Sequence, residues 1–259
     1  MKAEIARFSR GRWVGVHCSS RARDGRPILL RYDRGRPITI SQENQVEQLL
    51  KRFGRLGPRT IYATANAYRK LSGKSDVSSP ENIVACMPTW DVDNELDRWR
   101  ATLEVAGEIR AFLEGRGIES VFVKWSGRGV HVHVHQEALS REFREKVHPL
   151  DAAYAIVEFT NSKLKGKFDE IRSRTGSGKL SVDNEMDLQR LFTSPLSLHK
   201  ELDMVAVVLD PEGLESFDPS FASVGNFRHF EGWDRFRAGE ADDLAKEALR
   251  SAGGYFRSL

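Results

Sequence analysis

"NIVACMPTWDVDNELDRW", residues 82–99, runs from an apolar stretch into a dense group of acids and amides. The apolar part reads as one buried strand that continues into the acids. In a strand, residues two apart project to the same face, so Asp91 and Asp93 would point together from its end. From Leu96 the apolar positions Leu96, Trp99, Leu103, Ala106, Ile109 and Leu113 keep helical spacing until "EGRG" at 114–117 stops the helix. The acid pair thus sits where a strand hands over to a helix. Such a place suits a shared divalent cation, and it equally suits a helix capped by Asp93 or Asn94 with Asp91 solvated.

Beyond that helix, "IESVFVKW" and "VHVHVH" read as two strands joined by the tight turn "SGRG" at 126–129. The unit is therefore strand, helix, hairpin. Alternation puts Val130, Val132 and Val134 on one face and His131, His133 and His135 on the other, which is expected to meet a cleft or water. Arg128 offers a forked donor for phosphate oxygens, and Gly127 and Gly129 would let a ligand approach the backbone. A solvated strand face and an H-x-H transition-metal site are the competing readings of the histidines.

A third group is "SVDNEMDLQRLFTSPLSLHK", residues 181–200. Asp183 ends a short strand and would complete a three-carboxylate site, whereas Asp187 falls in the first turn of a short helix expected over "MDLQRLF". His199 either reaches a triphosphate or is a hydrogen-bonded loop histidine. "MVAVVLDP" at 204–211 reads as a buried strand stopped by Pro211.

The remaining chain adds less chemistry. Residues 1–80 read as short strands and turns, apart from a helix in "SQENQVEQLLKRFG" that Ser41 would cap and Gly54 end. "SGKSDVSSPEN" at 72–82 reads as a loop and a subdomain seam, residues 149–166 as a helix ending near Gly166, and "EADDLAKEALRSAG" as a C-terminal helix. "GSGK" at 176–179 has Ser173 and Leu180 where a phosphate loop needs Gly and Ser or Thr, so it reads as a flexible basic loop. "NFRHFEGWDRFR" at 226–237 interleaves Phe227, Phe230, Trp233 and Phe236 with arginines, which suits base stacking and phosphate binding as well as a packed helix face.

The chain has 259 residues, 40% hydrophobic and 30% charged, enough for one large domain or two small ones around a sizeable core. A net charge of +3 permits a basic groove without selecting nucleic acid as partner. Cys18 and Cys86 are the only cysteines, which excludes an all-cysteine zinc site and argues for a reducing compartment. The N-terminus has no secretory apolar core, and no stretch approaches the roughly 20 apolar residues of a membrane span. A cytoplasmic protein without membrane contact is expected.

Taken in order, "DVD", "SGRGVHVHV", and an acidic strand end followed by "RLFTSPLSLH" resemble the archaeo-eukaryotic primase superfamily over roughly residues 83–210. The resemblance implies an α+β fold, with a palm like an RNA-recognition module joined to an N-terminal α/β unit. On that template the chain is a single catalytic domain over 1–259: an N-terminal subdomain 1–80, a palm-like core 81–212 and a helical and loop extension 213–259. It implies metal ligation of two Mg²⁺ or Mn²⁺ ions by Asp91, Asp93 and Asp183, with Asp187 in reserve and no zinc. It further implies that Ser126, Arg128, His131 and His199 bind the phosphates of the incoming nucleotide.

The implied activity is template-directed nucleotidyl transfer by a DNA primase or primase-polymerase, on single-stranded DNA or a template-primer with nucleoside triphosphates. The implied setting is nucleoid-associated, with a large primase subunit or another replication or repair protein as partner. An end-joining or gap-filling repair polymerase, a catalytically inactive nucleic-acid-binding accessory and an H-x-H oxygenase are the alternatives. The chain departs from the family in three places: Arg128 stands alone where two adjacent arginines are usual, Thr193 occupies a usually basic position, and "HKEL" replaces "H-x-K-T-G". Lys200 or Arg190 would then take over the phosphate grip.

Overall fold

The first helix, α1 (Lys2–Ser9), forms where strands and turns were expected, and buries Ile5, Ala6 and Phe8 on one face. A helix this short is held by such packing and not by propensity. The computed structural model describes residues 1–257. After α1 come β1 (Arg12–Arg21), β2 (Pro27–Leu30) and the small hairpin β3 (Tyr32–Asp33) and β4 (Arg36–Pro37). Helix α2 (Glu43–Arg52) is capped by Gln42 and not Ser41, because the Gln45 side chain folds back to accept from the backbone of both. It closes at Phe53, and Gly54 begins a further short turn instead of ending the helix.

β5 (Pro58–Tyr68) follows, then α3 (Lys74–Ser78), a helical turn inside the stretch expected to be loop. The single strand expected over the opening motif is two: β6 (Ile83–Cys86) pairs with β5, whereas β7 (Thr89–Asp93) joins a different sheet. Pro88, between them, has no N–H for either ladder, and the chain changes sheets there. Helix α4 (Trp99–Glu114) and the hairpin β8 (Val121–Trp125) and β9 (Val130–Val134) lie where the sequence puts them.

Two further helices follow, α5 (Arg141–Lys146) and α6 (Pro149–Thr175). The second passes through Gly166 and stops only where Gly176 turns left-handed, at φ +64°. β10 (Ser181–Asp183) comes next. "MDLQRLF" makes no helix, since the carbonyls of Asp187 and Leu188 accept from Asn66 and Tyr68 and the segment ends as β11 (Leu191–Thr193) on β5. In "MVAVVLDP" the apolar run is buried, yet only β12 (Val207–Val208) is laddered. The last described α-helix is α7 (Asp242–Ala252).

The result is α+β. One sheet runs β11-β5-β1-β2 with β6 also on β5; the other runs β10-β7-β9-β8-β12, with every pairing antiparallel. Helices α4 and α6 cover one face of the second sheet, where Trp90, Val92, Val130, Val132 and Val134 are buried with Leu103, Ile109 and Ile156. The first sheet and α1 cover the other face through Phe8 and Phe192. Among the described residues, no helix is long and apolar enough to cross a membrane.

Candidate active site

Covering both faces of β9 corrects the reading of the histidine stripe. His131, His133 and His135 are 7%, 0% and 4% exposed, so that face meets neither open water nor a continuous cleft. His133 stacks on Phe122 at 4.6 Å and its Nδ1 lies 2.8 Å from the Thr89 hydroxyl, which makes it a core residue. His135 follows the strand, accepts from Glu137 N and places Nε2 3.0 Å from Asp234. Of the three, only His131 reaches the acid pair: it stands opposite Asp91 in register, with Nε2 3.4 Å from Oδ1.

Around that contact lies an open cleft of about 440 Å³. It gathers Asp91, Asp93, Ser126, Arg128, His131 and His199, six of the seven residues singled out from sequence, together with Tyr62, Lys179, Arg190 and Lys200. The seventh, Asp183, ends β10 directly opposite Asp91 in register, which puts the two on one face at the sheet edge. Asp187 stays apart in the loop before β11, where its Oδ1 accepts from Gln189 N.

The two glycines of the turn explain how these groups meet. Gly127 has φ +117°, and a Cβ on it would lie 2.8 Å from three atoms of His199. A Cβ on Gly129 would lie 2.5 Å from Val92 O and 2.9 Å from an Asp93 carboxylate oxygen. The missing side chains thus let the turn press between the acidic strand end and the histidine loop. Ser126 braces it, with both its N and Oγ donating to Gly129 O.

His199 is held in one tautomer. The backbone N–H groups of Glu201 and Leu202 donate to Nδ1 at 3.2 and 2.9 Å, so the ring proton belongs on Nε2. Burial first, then the charges of Arg128 and Lys200, push His199 down to about 4, and it is a neutral donor at physiological pH. Arg59, from β5, fixes the loop by donating to the carbonyls of His199 (2.8 Å) and Leu202 (2.6 Å).

At the acidic end, burial opposes ionisation of Asp91, but His131, Arg190 and Lys124 outweigh it and hold the carboxyl below its usual range. Asp93 is raised by burial and then by the charges of Asp91 and Asp183. This repulsion is what a cation would relieve. Arg190 donates to Asp91 Oδ2 at 2.6 Å and also pairs with Glu185. Among the described residues no three acid, histidine or cysteine side chains already surround a point fit for a metal. The donors are nonetheless carboxylate oxygens, the kind that Mg²⁺ or Mn²⁺ takes, and they fit such an ion once Arg190 releases Asp91.

Arg190 and Lys200, named from sequence as substitutes for absent family cations, both line the cleft; Lys179 was legible only as part of a flexible basic loop, and Tyr62 carried no signal as a site residue. No family model matches the chain, and no curated protein matches it. Among solved structures, the fold is similar to that of the polymerase domain of Mycobacterium tuberculosis Ligase D in complex with DNA. The TM-score is 0.53 at 14% sequence identity, covering 99% of this chain and 87% of that chain.

Proposed function

We propose that the chain is a template-directed nucleotidyltransferase working on single-stranded DNA or a template-primer. The observation that carries this reading is the convergence, in one cleft, of the acidic end of β7 with a basic glycine turn and a tautomer-fixed histidine. A divalent ion held by Asp91, Asp93 and Asp183 would supply activation of the attacking hydroxyl and charge stabilisation at the transferring phosphate. In the reaction, a hydroxyl loses its proton to solvent as its oxygen bonds to the α-phosphorus of a nucleoside triphosphate, the bond from that phosphorus to the oxygen bridging it to the β-phosphorus breaks, and pyrophosphate leaves.

The chain's own residues account for binding and alignment. Arg128, half exposed at the mouth, and Lys200 attract the phosphates, and His199 donates from Nε2 without adding charge. Arg190, freed from Asp91, becomes a further phosphate donor in the same cleft. Initiation of primers and extension or repair of existing ends both use this chemistry, and the likeness to a ligase-associated polymerase domain favours extension and repair as the second form of the reading.

A reading of another class, a catalytically inactive nucleic-acid-binding accessory, is favoured by the Arg190–Asp91 contact, which fills a metal-ligand oxygen with a protein cation. Equilibrium binding of a labelled nucleoside triphosphate in Mn²⁺ separates the two. We expect Arg128→Ala and His199→Gln each to weaken binding by roughly tenfold, about what one charge-assisted or well-placed hydrogen bond contributes. Absence of metal-dependent nucleotide binding in the folded wild type would instead select the accessory.

A further inference from the structure

Within the aromatic and arginine segment at 226–237 only Glu231–Asp234 is helical, a short 3-10 turn that buries Trp233, and none of the segment lines the cleft. Trp233 is buried, whereas Phe236 is 52% exposed and stacks on His135 at 4.6 Å and 5° between planes. Together with α1 and the start of β1 they line a second pocket of about 310 Å³. It opens beside His135, roughly 13 Å along β9 from His131 at about 3.3 Å per residue.

The pocket's lining has a modest excess of positive charge, with Arg7, Arg10 and Arg12 against Glu137 and Asp234. Arg12 is 3% exposed, and its guanidinium donates to the carbonyls of Thr64 and Ala65 and to Gln136 Oε1, but pairs with no carboxylate among the described residues. Burial brings it down to about 10, where it is still cationic. Arg10, exposed on the rim, makes no hydrogen bond or ion pair among the described residues. The acids nearby are already engaged: Glu137 with Arg144, Asp234 with His135 and Arg7. A flat exposed ring next to one free guanidinium, Arg10, and one buried guanidinium without a directly paired carboxylate, Arg12, matches an aromatic base linked to a phosphate.

We propose that this pocket binds a nucleotide unit, its base on Phe236 and its phosphate on Arg10 and Arg12. The unit belongs to a single strand or is a free nucleotide; the first source rests on the nucleic-acid reading above. Fluorescence anisotropy with a labelled oligothymidine of about 12 nucleotides, competed by thymidine monophosphate, tests both sources. Phe236→Ala and Arg10→Ala alter exposed side chains and leave the cleft intact. We expect Phe236→Ala to weaken binding about 5- to 100-fold. Arg10→Ala should weaken it about tenfold and lower the log–log salt slope by about 0.7.

Competition by the monophosphate assigns the site to a free nucleotide, and its failure assigns it to the strand. Either outcome supports the pocket when Phe236→Ala and Arg10→Ala weaken the binding, and retention of full binding by both variants overturns it. Wild type that binds neither probe, or binding that Arg128→Ala abolishes and both pocket variants retain, overturns it. Because only binding is read, a chain that fails to incorporate nucleotides leaves this result standing.

Discussion

Gly129 and His199 show how much of the cleft depends on single atoms. A methyl group on Gly129 would collide with Val92 O, a backbone atom in a paired strand that has no freedom to retreat. Gly129→Ala is therefore expected to lower stability by about 1–3 kcal/mol, the usual cost of overpacking, and chemical denaturation would measure it. His199 makes a prediction in pH. Its folded value of about 4 lies below the ordinary histidine value of 6.5, so between these limits the unfolded chain binds more protons. The stabilisation is complete above about 6.5 and is lost as pH falls toward 4. His199→Gln should unfold with a visibly flatter pH dependence across this window; an unchanged profile would mean that His199 does not hold the neutral state inferred for it.

At the scale of elements, α6 offers a clean test of backbone entropy. Gly166 is exposed within the helix and an added Cβ would meet nothing within 4 Å, so Gly166→Ala should raise stability by about 0.5–1 kcal/mol, read as a higher melting temperature. The same residue marks a limit of reading the sequence: glycine suggested a stop, but packing of Leu164, Phe168 and Ile171 carries the helix onward. Regular elements whose apolar spacing is local, such as α4, β8, β9 and α7, were legible. The acid pair was legible for the same reason, since alternation alone aims both side chains. The burial of His133 and His135 was not, because the layer covering them comes from α1, β11 and the segment after residue 226. β11 looked helical because its partner β5 and the side chains of Asn66 and Tyr68, which claim its neighbours' carbonyls, lie far away in sequence.

For the molecule as a whole, the two sheets are joined through the site. β11 belongs to the first sheet although its sequence lies beyond β10 of the second, and Arg59 reaches from β5 to hold the loop of His199. A fragment of residues 81–212 would lose β5 and expose Phe192, so it is expected to lack a cooperative unfolding transition. Tight, reversible unfolding of that fragment would contradict this dependence. The same joining brings together a carboxylate end and a basic turn beside His199 that the sequence shows only as separate motifs.

The central claim is that Asp91 and Asp93 form the catalytic end of that shared cleft. Its most direct test is incorporation of labelled nucleotides on single-stranded DNA, with and without a primer, in Mg²⁺ and in Mn²⁺, by wild type and Asp91→Ala/Asp93→Ala. We predict products from the wild type and a loss of at least about 100-fold in the double variant, the scale on which removing a transition-state charge contact acts. Equal products from both folded proteins, or none from the wild type in either metal, would contradict the claim.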